Sequence, residues 1–150
     1  MAVTIEAAGE HDIDALGALL QQLFAIEADF HFEPAKVRRA LARLLEQESA
    51  RLLVARSAGT VVGMCSAQLV ISTAEGAYSA WVEDLVVDAA HRGQGIGQLL
   101  LEGIAAWAQG QGATRLQLLA DRENRPALDF YRGNGWQKTQ LLALRTTLPS

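Results

Sequence analysis

A glycine-rich loop is the segment of this sequence whose residue types and spacing point most directly to chemistry. Arg92-Gly93-Gln94-Gly95-Ile96-Gly97 follows the apolar run Leu85-Val86-Val87 after a short turn and opens a stretch whose apolar residues recur at helical spacing. The first amides of a helix have no partner within it and carry a partial positive charge, and glycines let an anion approach them without a Cβ in the way. We therefore expect the loop to bind a phosphate group. The alternative, which we consider less favoured, is that the glycines only form a tight turn.

Two common phosphate-binding motifs do not fit this loop. A P-loop continues from its last glycine with Lys and then Ser or Thr, whereas Gln98 and Leu99 stand there. A dinucleotide fingerprint needs a third glycine three positions after a Gly-x-Gly pair, and the two candidate positions carry Gln98 and Leu100. The loop is therefore expected to belong to a different kind of anion site.

Two adjacent carboxylates, Glu83 and Asp84, precede the loop on a stretch with strand-like composition. On a regular strand they point to opposite faces, and the residues on either side, Trp81-Val82 and Leu85-Val86, are apolar. Burial among apolar side chains raises the pKa of a carboxyl group unless a hydrogen bond or a cation compensates, and a raised pKa suits a general base. Glu83 is the preferred candidate for such a base, and the alternative is a structural carboxylate with a partner.

The periodicity of the apolar residues predicts the elements that position these groups. The predicted strands are 1–8, 51–56, 61–71, 78–87, 114–120 and one or two within 137–148, and the predicted helices are 12–27, 34–48, 96–109 and 124–132. Short turns make the three strands within 51–87 antiparallel neighbours. The pattern therefore predicts an α/β fold, with a mixed, mostly antiparallel central sheet between helices, in a single domain over residues 1–150. Asp12 is expected to cap the first helix.

The connection between the first two helices combines carboxylates and aromatic rings. Its candidate substrate residues are Glu27, Asp29, Phe30 and Glu33. Such a segment either lines an entrance for a cationic group or forms a solvated loop with anchoring rings.

Composition excludes several classes of function. The net charge of −4, with 13 Lys and Arg scattered along the chain, argues against a nucleic-acid partner. Cys65 is the only cysteine, so no intramolecular disulfide can form, and its apolar neighbours favour a core residue over a nucleophile. The three histidines have no second ligand at a suitable spacing, so no metal is expected. No membrane-targeting segment is found, and a cytoplasmic location is expected.

The glycine loop and its surroundings resemble a known family. Arg92-x-x-Gly95-x-Gly97 resembles the acetyl-CoA signature of the GNAT superfamily of N-acetyltransferases, and Val82–Val87 precedes it at that family's spacing. Asn124-x-x-Ala127-x-x-Phe130-Tyr131, followed by Gly135-Trp136, is similar to the family's second cofactor-side motif. The resemblance covers about residues 61–136 and implies that the sheet is splayed around a cofactor cleft.

The resemblance implies a set of cofactor contacts. The residues at the pyrophosphate would be Arg92 and, through backbone amides, Gly93, Gln94, Gly95, Ile96, Gly97 and Gln98. Leu85, Val86 and Val87 would pair by their backbone with the pantetheine arm, whose amides need such partners. Asn124 would contact the cofactor from the opposite side, or cap the short helix that it precedes, or do both.

The resemblance also implies a reaction, the transfer of an acetyl group from acetyl-CoA directly to a primary amine. An alkylamine is almost fully protonated at neutral pH, so a base is needed, and Glu83 is the candidate general base. Tyr131 is the candidate general acid for the leaving thiolate, with a packed structural ring as the alternative. A small cationic metabolite is the expected acceptor, contacted by the connection residues named above and by Asp84.

Other functions remain open at this stage. A protein or peptide N-acetyltransferase would use an equally shaped site, and a non-catalytic acetyl-CoA sensor would use the same fold. A homodimer is expected by analogy with the family, through the late strands that include Leu141–Leu148.

Overall fold

The chain divides into two compact units in a computed structural model that describes residues 2–27 and 30–150. The first unit ends at Leu118 and contains the sheet, and the second comprises Leu119–Ser150. The strands of the first unit are β1 Val3–Ala7, β2 Ala50–Ser57, β3 Thr60–Ser72, β4 Ala77–Val87 and β5 Ala113–Leu118, and its helices are α1 Ile13–Ile26, α2 Pro34–Glu46 and α3 Ile96–Gly110. The second unit contains α4, Arg125–Gly133.

The sheet confirms the predicted mixed, mostly antiparallel arrangement. Its strand order is β1-β2-β3-β4-β5, with the first four strands antiparallel and β5 parallel to β4. The turn between β2 and β3 places Ala58 at φ 51° and Gly59 at φ 81°. Positive φ at both central residues is the requirement of the tight hairpin turn that matches the twist of two antiparallel strands.

Helices cover both faces of this sheet. Leu16, Leu20 and Leu41 of α1 and α2 form one apolar core with Leu52 and Val54 of β2. The other face carries α3, which lies so close to the sheet that a Cβ on Gly103 would stand 3.0 Å from Cδ1 of Leu53. Leu53 lies between Leu52 and Val54 in the strand and points to the opposite face, as the alternation of a strand requires.

The expectation that Asp12 caps α1 is wrong. Its carboxylate is buried and accepts two hydrogen bonds from Arg56, Nη1 to Oδ1 at 2.9 Å and Nη2 to Oδ2 at 2.8 Å. It also accepts the amide of Gly9 at 2.9 Å, while Arg56 Nε donates to Glu6. A buried carboxylate gains more from a two-pronged guanidinium than from the free amides of a helix, so the ion pair determines its orientation.

The expected strands in residues 137–148 are also absent, because residues 137–150 form neither helix nor strand. Leu141, Leu142, Leu144 and Leu148 are exposed. Alternation of apolar residues indicates a strand only where a partner strand accepts its backbone hydrogen bonds, and the second unit contains no other strand among its residues 119–150.

Candidate active site

A β-bulge in β4 is the structural centre of the site. Met64 of β3 pairs with Val86 and Ser66 pairs with Glu83, so Asp84 and Leu85 on β4 oppose the single residue Cys65. Asp84 adopts φ 54°, an uncommon conformation for a residue with a side chain. The expectation of a regular strand is therefore wrong at Asp84, where the extra residue changes the direction of the side chain, whereas Glu83 still pairs in register with Ser66.

Beyond the bulge, β4 separates from β5. The pairs between these strands run from Tyr78 with Ala113 to Val82 with Leu118, and none follows within the unit that ends at Leu118. Val86 and Val87 still pair with β3 on the other side. The backbone of Leu85–Val87 thus presents an edge without a strand partner. The amides of a pantetheine arm would need such an edge for their hydrogen bonds.

The glycine loop leads into α3 as the sequence predicted. Gly93 and Gly95 have φ of 78° and 80°, and Gly95 precedes the first helical residue. A Cβ at either glycine would meet nothing within 4 Å, so backbone conformation, not crowding, calls for glycine here. The amide of Leu99 bonds to the carbonyl of Gly95 at 3.2 Å, so the amides before it lie in the first turn, where a helix offers no internal acceptor.

Two side chains tie this loop to the rest of the first unit. Arg92 is exposed and its Nε donates to the carbonyl of Val87 at 3.1 Å. Asp88 accepts Nε2 of Gln22 from α1 at 2.9 Å and contacts Nδ1 of His91 at 3.0 Å, while the amide of Ala89 bonds to Oε1 of Gln22 at 3.1 Å. The hydrogen bonds from Gln22 and His91 hold the pKa of Asp88 below its usual value. Sequence reasoning missed Gln22 and Asp88, which are far apart in the chain.

Asp84 is the carboxyl group with the most altered acidity in the site. Its side chain is partly buried, and burial raises its pKa to about 7, with further contributions from the charges of Glu83 and Glu27. The expected rise through desolvation is confirmed for this residue. Such a group is close to half ionised at neutral pH and can accept a proton there.

Glu83 has a different environment. Its side chain is exposed, and Oε1 accepts the indole N–H of Trp81 at 2.8 Å. Cys65, opposite the bulge, is fully buried, and burial together with the charge of Asp84 raises the pKa of its thiol to about 12. The expectation of a core cysteine is confirmed, because a thiol with that pKa is not a nucleophile at neutral pH.

The structure separates the candidate substrate residues of the helix connection. Glu27 directly follows α1 and lies near enough to raise the pKa of Asp84. Phe30 packs on Phe24 with ring centroids 5.5 Å apart, and Glu33 precedes α2 and pairs with Nζ of Lys36 at 2.8 Å. Asp29 lies outside the described residues. Of the described carboxylates in this connection, Glu27 therefore lies near the bulge, whereas Glu33 is paired with Lys36.

The second unit carries the other two candidates. Oδ1 of Asn124 accepts the amide of Ala127 at 3.2 Å, so Asn124 does cap α4. The ring of Tyr131 lies between Phe130 and Trp136, with centroids at 5.4 and 5.7 Å. The ring of Tyr131 is therefore packed against other rings. This packing does not decide whether its hydroxyl group is the general acid.

The described residues contain neither a candidate metal site nor a helix that could span a membrane. No three or more His, Cys, Asp and Glu side chains there form a group that could hold a metal ion. Nor does any helix of residues 2–27 and 30–150 have the length and apolar character to cross a membrane.

Comparisons with known proteins give a consistent pattern. The model of the acetyltransferase (GNAT) family matches residues 18–136. N-acetyltransferase family 8 member 2 of Rattus norvegicus is 36% identical over 86 residues, which are 57% of this chain and 38% of that protein. The chain thus aligns with little more than a third of this relative's length.

Solved structures match over nearly the whole chain. A transcriptional regulator from Bacillus halodurans is 26% identical with a TM-score of 0.83, and the match covers 98% of this chain and 100% of that one. An aminoglycoside acetyltransferase from an uncultured soil metagenomic sample, in complex with trehalose, is 25% identical with a TM-score of 0.79, covering 98% and 97%.

Proposed function

Because the chain belongs to the acetyltransferase (GNAT) family, we propose that it transfers the acetyl group of acetyl-CoA to a primary amine. The observation that carries the proposal is the carboxyl group of Asp84, with a pKa of about 7, at the bulge where β4 leaves β5. A proton acceptor of that strength beside an open strand edge suits attack by an amine on a bound thioester.

The residues of the loop and of β4 fit acetyl-CoA. The amides at the start of α3, with Gly93 and Gly95 in their left-handed conformation, suit a pyrophosphate. The unpaired edge of Leu85–Val87 offers backbone partners to the amides of pantetheine, which would direct the thioester toward the bulge. Arg92 adds a positive charge beside the loop, and Asn124 is assigned to the cofactor through the family motif.

Acetyl transfer then follows from three proton transfers. The ammonium of the acceptor gives one proton to Asp84, and the neutral nitrogen attacks the carbonyl carbon of the thioester. The carbon–sulfur bond breaks, the sulfur takes the hydroxyl proton of Tyr131, and the second proton of the nitrogen returns through solvent to Tyr131. The products are an amide and the CoA thiol.

The sequence favours Glu83 as the general base, but the exposure of its side chain favours a different role. An exposed carboxylate that is hydrogen-bonded to Trp81 suits attraction of the cationic acceptor better than removal of its proton. Glu27 adds a third carboxylate near Asp84. Three carboxylates around one point favour a cationic amine, such as a small metabolite, and the aminoglycoside acetyltransferase among the solved structures supports that class of acceptor.

The test is release of the CoA thiol from acetyl-CoA with a panel of polyamines, aminoglycosides, amino acids and short peptides. Asp84→Asn should lower kcat by about 100-fold or more, the usual contribution of a general base. Glu83→Gln should raise KM for the amine, and Tyr131→Phe should lower kcat. Glu46→Gln, an exposed carboxylate at the end of α2, is the matched control.

The second candidate function is a non-catalytic acetyl-CoA sensor, which the likeness to a transcriptional regulator favours. A sensor would gain thermal stability from acetyl-CoA and release no thiol with any amine of the panel. Thiol release that survives Asp84→Asn but not Glu83→Gln would instead return the role of base to Glu83.

A further inference from the structure

A groove on β3, β4 and β5 begins where the candidate active site ends. It encloses a cavity of about 300 Å³, and the lining residues that matter here are Val70, Ser72, Ser79, Trp81, Arg115 and Gln117. We call it the Arg115 groove. A larger cavity of about 500 Å³, near the hairpin that joins β3 to β4, has no charged side chain in its lining.

The strand register places the Arg115 groove on the same face of the sheet as Glu83. Trp81 pairs with Gln117, and Ser79 pairs with Arg115 and with Val70, and paired residues point to one face. Glu83 follows Trp81 by two residues in a regular stretch and shares this face. The hydrogen bond from the Trp81 indole to Oε1 of Glu83, at 2.8 Å, makes the groove and the carboxylate neighbours.

Arg115 is held in a fixed orientation at the far end of the groove. Its Nε donates to Oγ of Ser79 at 3.2 Å and its Nη2 to Oγ of Ser72 at 3.4 Å. The nearest carboxylate contact is Nη1 to Oε2 of Glu75, at 3.9 Å, beyond hydrogen-bond distance. A guanidinium has five N–H donors, so donors remain for an anionic ligand, and the side chain is 42% exposed.

One end of the groove holds the Arg115 guanidinium, with a carboxylate oxygen of Glu75 3.9 Å from it, and the other end borders the carboxylate of Glu83. Ser79 and Glu83 are four residues apart on β4, about 13 Å at the rise of a strand. Trp81 lies between them, flanked by Gln68 and Gln117 on the neighbouring strands, and the half-exposed Val70 lies beside Ser79. An extended peptide of about four residues has the same length.

We propose that the Arg115 groove binds the acceptor, and that the acceptor is an elongated primary amine that ends in a carboxylate. This rests on the proposed acetyl transfer and narrows its substrate class. The amine lies at Glu83 and Asp84, an apolar middle part lies on Trp81, and the carboxylate pairs with Arg115. Arginine is suited to this because its planar fork matches a carboxylate.

The experiment compares the tetrapeptide Gly-Leu-Gly-Gly as free acid and as C-terminal amide, with dipeptide and hexapeptide analogues, in the thiol-release assay. The free acid of the tetrapeptide should have a kcat/KM about tenfold above its amide, mainly through KM, and above both other lengths. Arg115→Gln should abolish the preference for the acid, because KM for the free acid should rise to the level of KM for the amide. Arg39→Gln, an exposed arginine on α2, should keep the preference.

Calorimetric binding of the two tetrapeptides to the wild-type protein and to Arg115→Gln provides a readout that does not depend on turnover. Equal binding of acid and amide by the wild type, or a preference that survives Arg115→Gln, would overturn the groove assignment. Acetylation of spermidine without any preference among the peptides would do the same while leaving acetyl transfer intact. Tighter binding of the acid without thiol release from any amine would retain the groove and refute the proposed function.

Discussion

Asp84 combines an unusual backbone conformation with a raised pKa, and the raised pKa determines the pH dependence of the proposed reaction. A base must be ionised to accept a proton, so kcat/KM should rise with pH and level off above a midpoint near 7, the pKa of Asp84. In Asp84→Asn this limb should be missing and the low residual rate should follow ionisation of the amine alone. Initial rates at fixed ionic strength between pH 5 and 9 measure both profiles. A wild-type midpoint near 4 would contradict the assignment.

Ionisation of the same carboxyl group, which favours the proposed reaction, should lower the free energy of unfolding. Its pKa is about 7 in the folded chain and about 3.9 in an unfolded one, so the folded state binds the proton more tightly. The stabilisation is therefore complete below about pH 4 and is lost as pH rises through 7. Asp84→Asn should raise the free energy of unfolding at pH 8 by roughly 2–4 kcal/mol and change it little at pH 4. Urea titrations at both pH values test this, with Glu46→Gln as the control.

The sequence singles out Glu83 and Asp84 as a pair of carboxylates but does not predict which of the two is buried. Apolar neighbours of Glu83 and Asp84 predict desolvation of both. The bulge decides which one is buried, and no glycine or proline marks it, because Asp84 itself takes the positive φ. A conformation imposed by the packing of β3 against β4 is not encoded in local residue preferences.

At the scale of the elements, the ion pair between Asp12 and Arg56 joins the turn before α1 to β2. Removing one partner leaves the other charge buried without compensation, so Arg56→Leu should lower the free energy of unfolding by about 3 kcal/mol. Arg38→Leu removes an exposed pair with Asp14 and should cost less than about 1 kcal/mol. Chemical denaturation at pH 7 compares the two variants. Equal losses would mean that the buried pair contributes no more than the exposed one.

The contact between Gln22 of α1 and Asp88 is a second link between elements, and it positions the glycine loop. Gln22→Ala removes the two hydrogen bonds that hold Asp88 and the amide of Ala89. We expect KM for acetyl-CoA to rise several-fold while kcat with saturating cofactor stays near the wild-type value. Gln21→Ala, the exposed neighbour on the same helix, is the matched control. A fall in kcat at unchanged KM would show that Gln22 acts on the chemistry instead.

Most elements were predictable because their apolar periodicity agrees with where they are buried. The helical spacing of Leu16 and Leu20 and of Ile96, Leu100 and Ile104 gives the faces that the sheet covers. The sequence also predicts one or two strands within 137–148, but these residues form no strand. A helix satisfies its own backbone, whereas a strand depends on an edge elsewhere in the molecule that sequence alone does not locate.

At the scale of the whole molecule, the exposed leucines of residues 141–148 bear on the expected homodimer. Leu141, Leu142, Leu144 and Leu148 are 77%, 77%, 93% and 81% exposed, and several exposed apolar side chains within a short segment are typical of an interaction surface. Sedimentation velocity at micromolar concentration should give twice the chain mass of 16.1 kDa. Leu142→Ser with Leu144→Ser should shift the protein to the monomer, whereas Ile71→Ser, which removes an equally exposed apolar side chain from β3, should not. A monomeric wild type, or dissociation by the β3 variant alone, would show that these leucines do not hold two copies together.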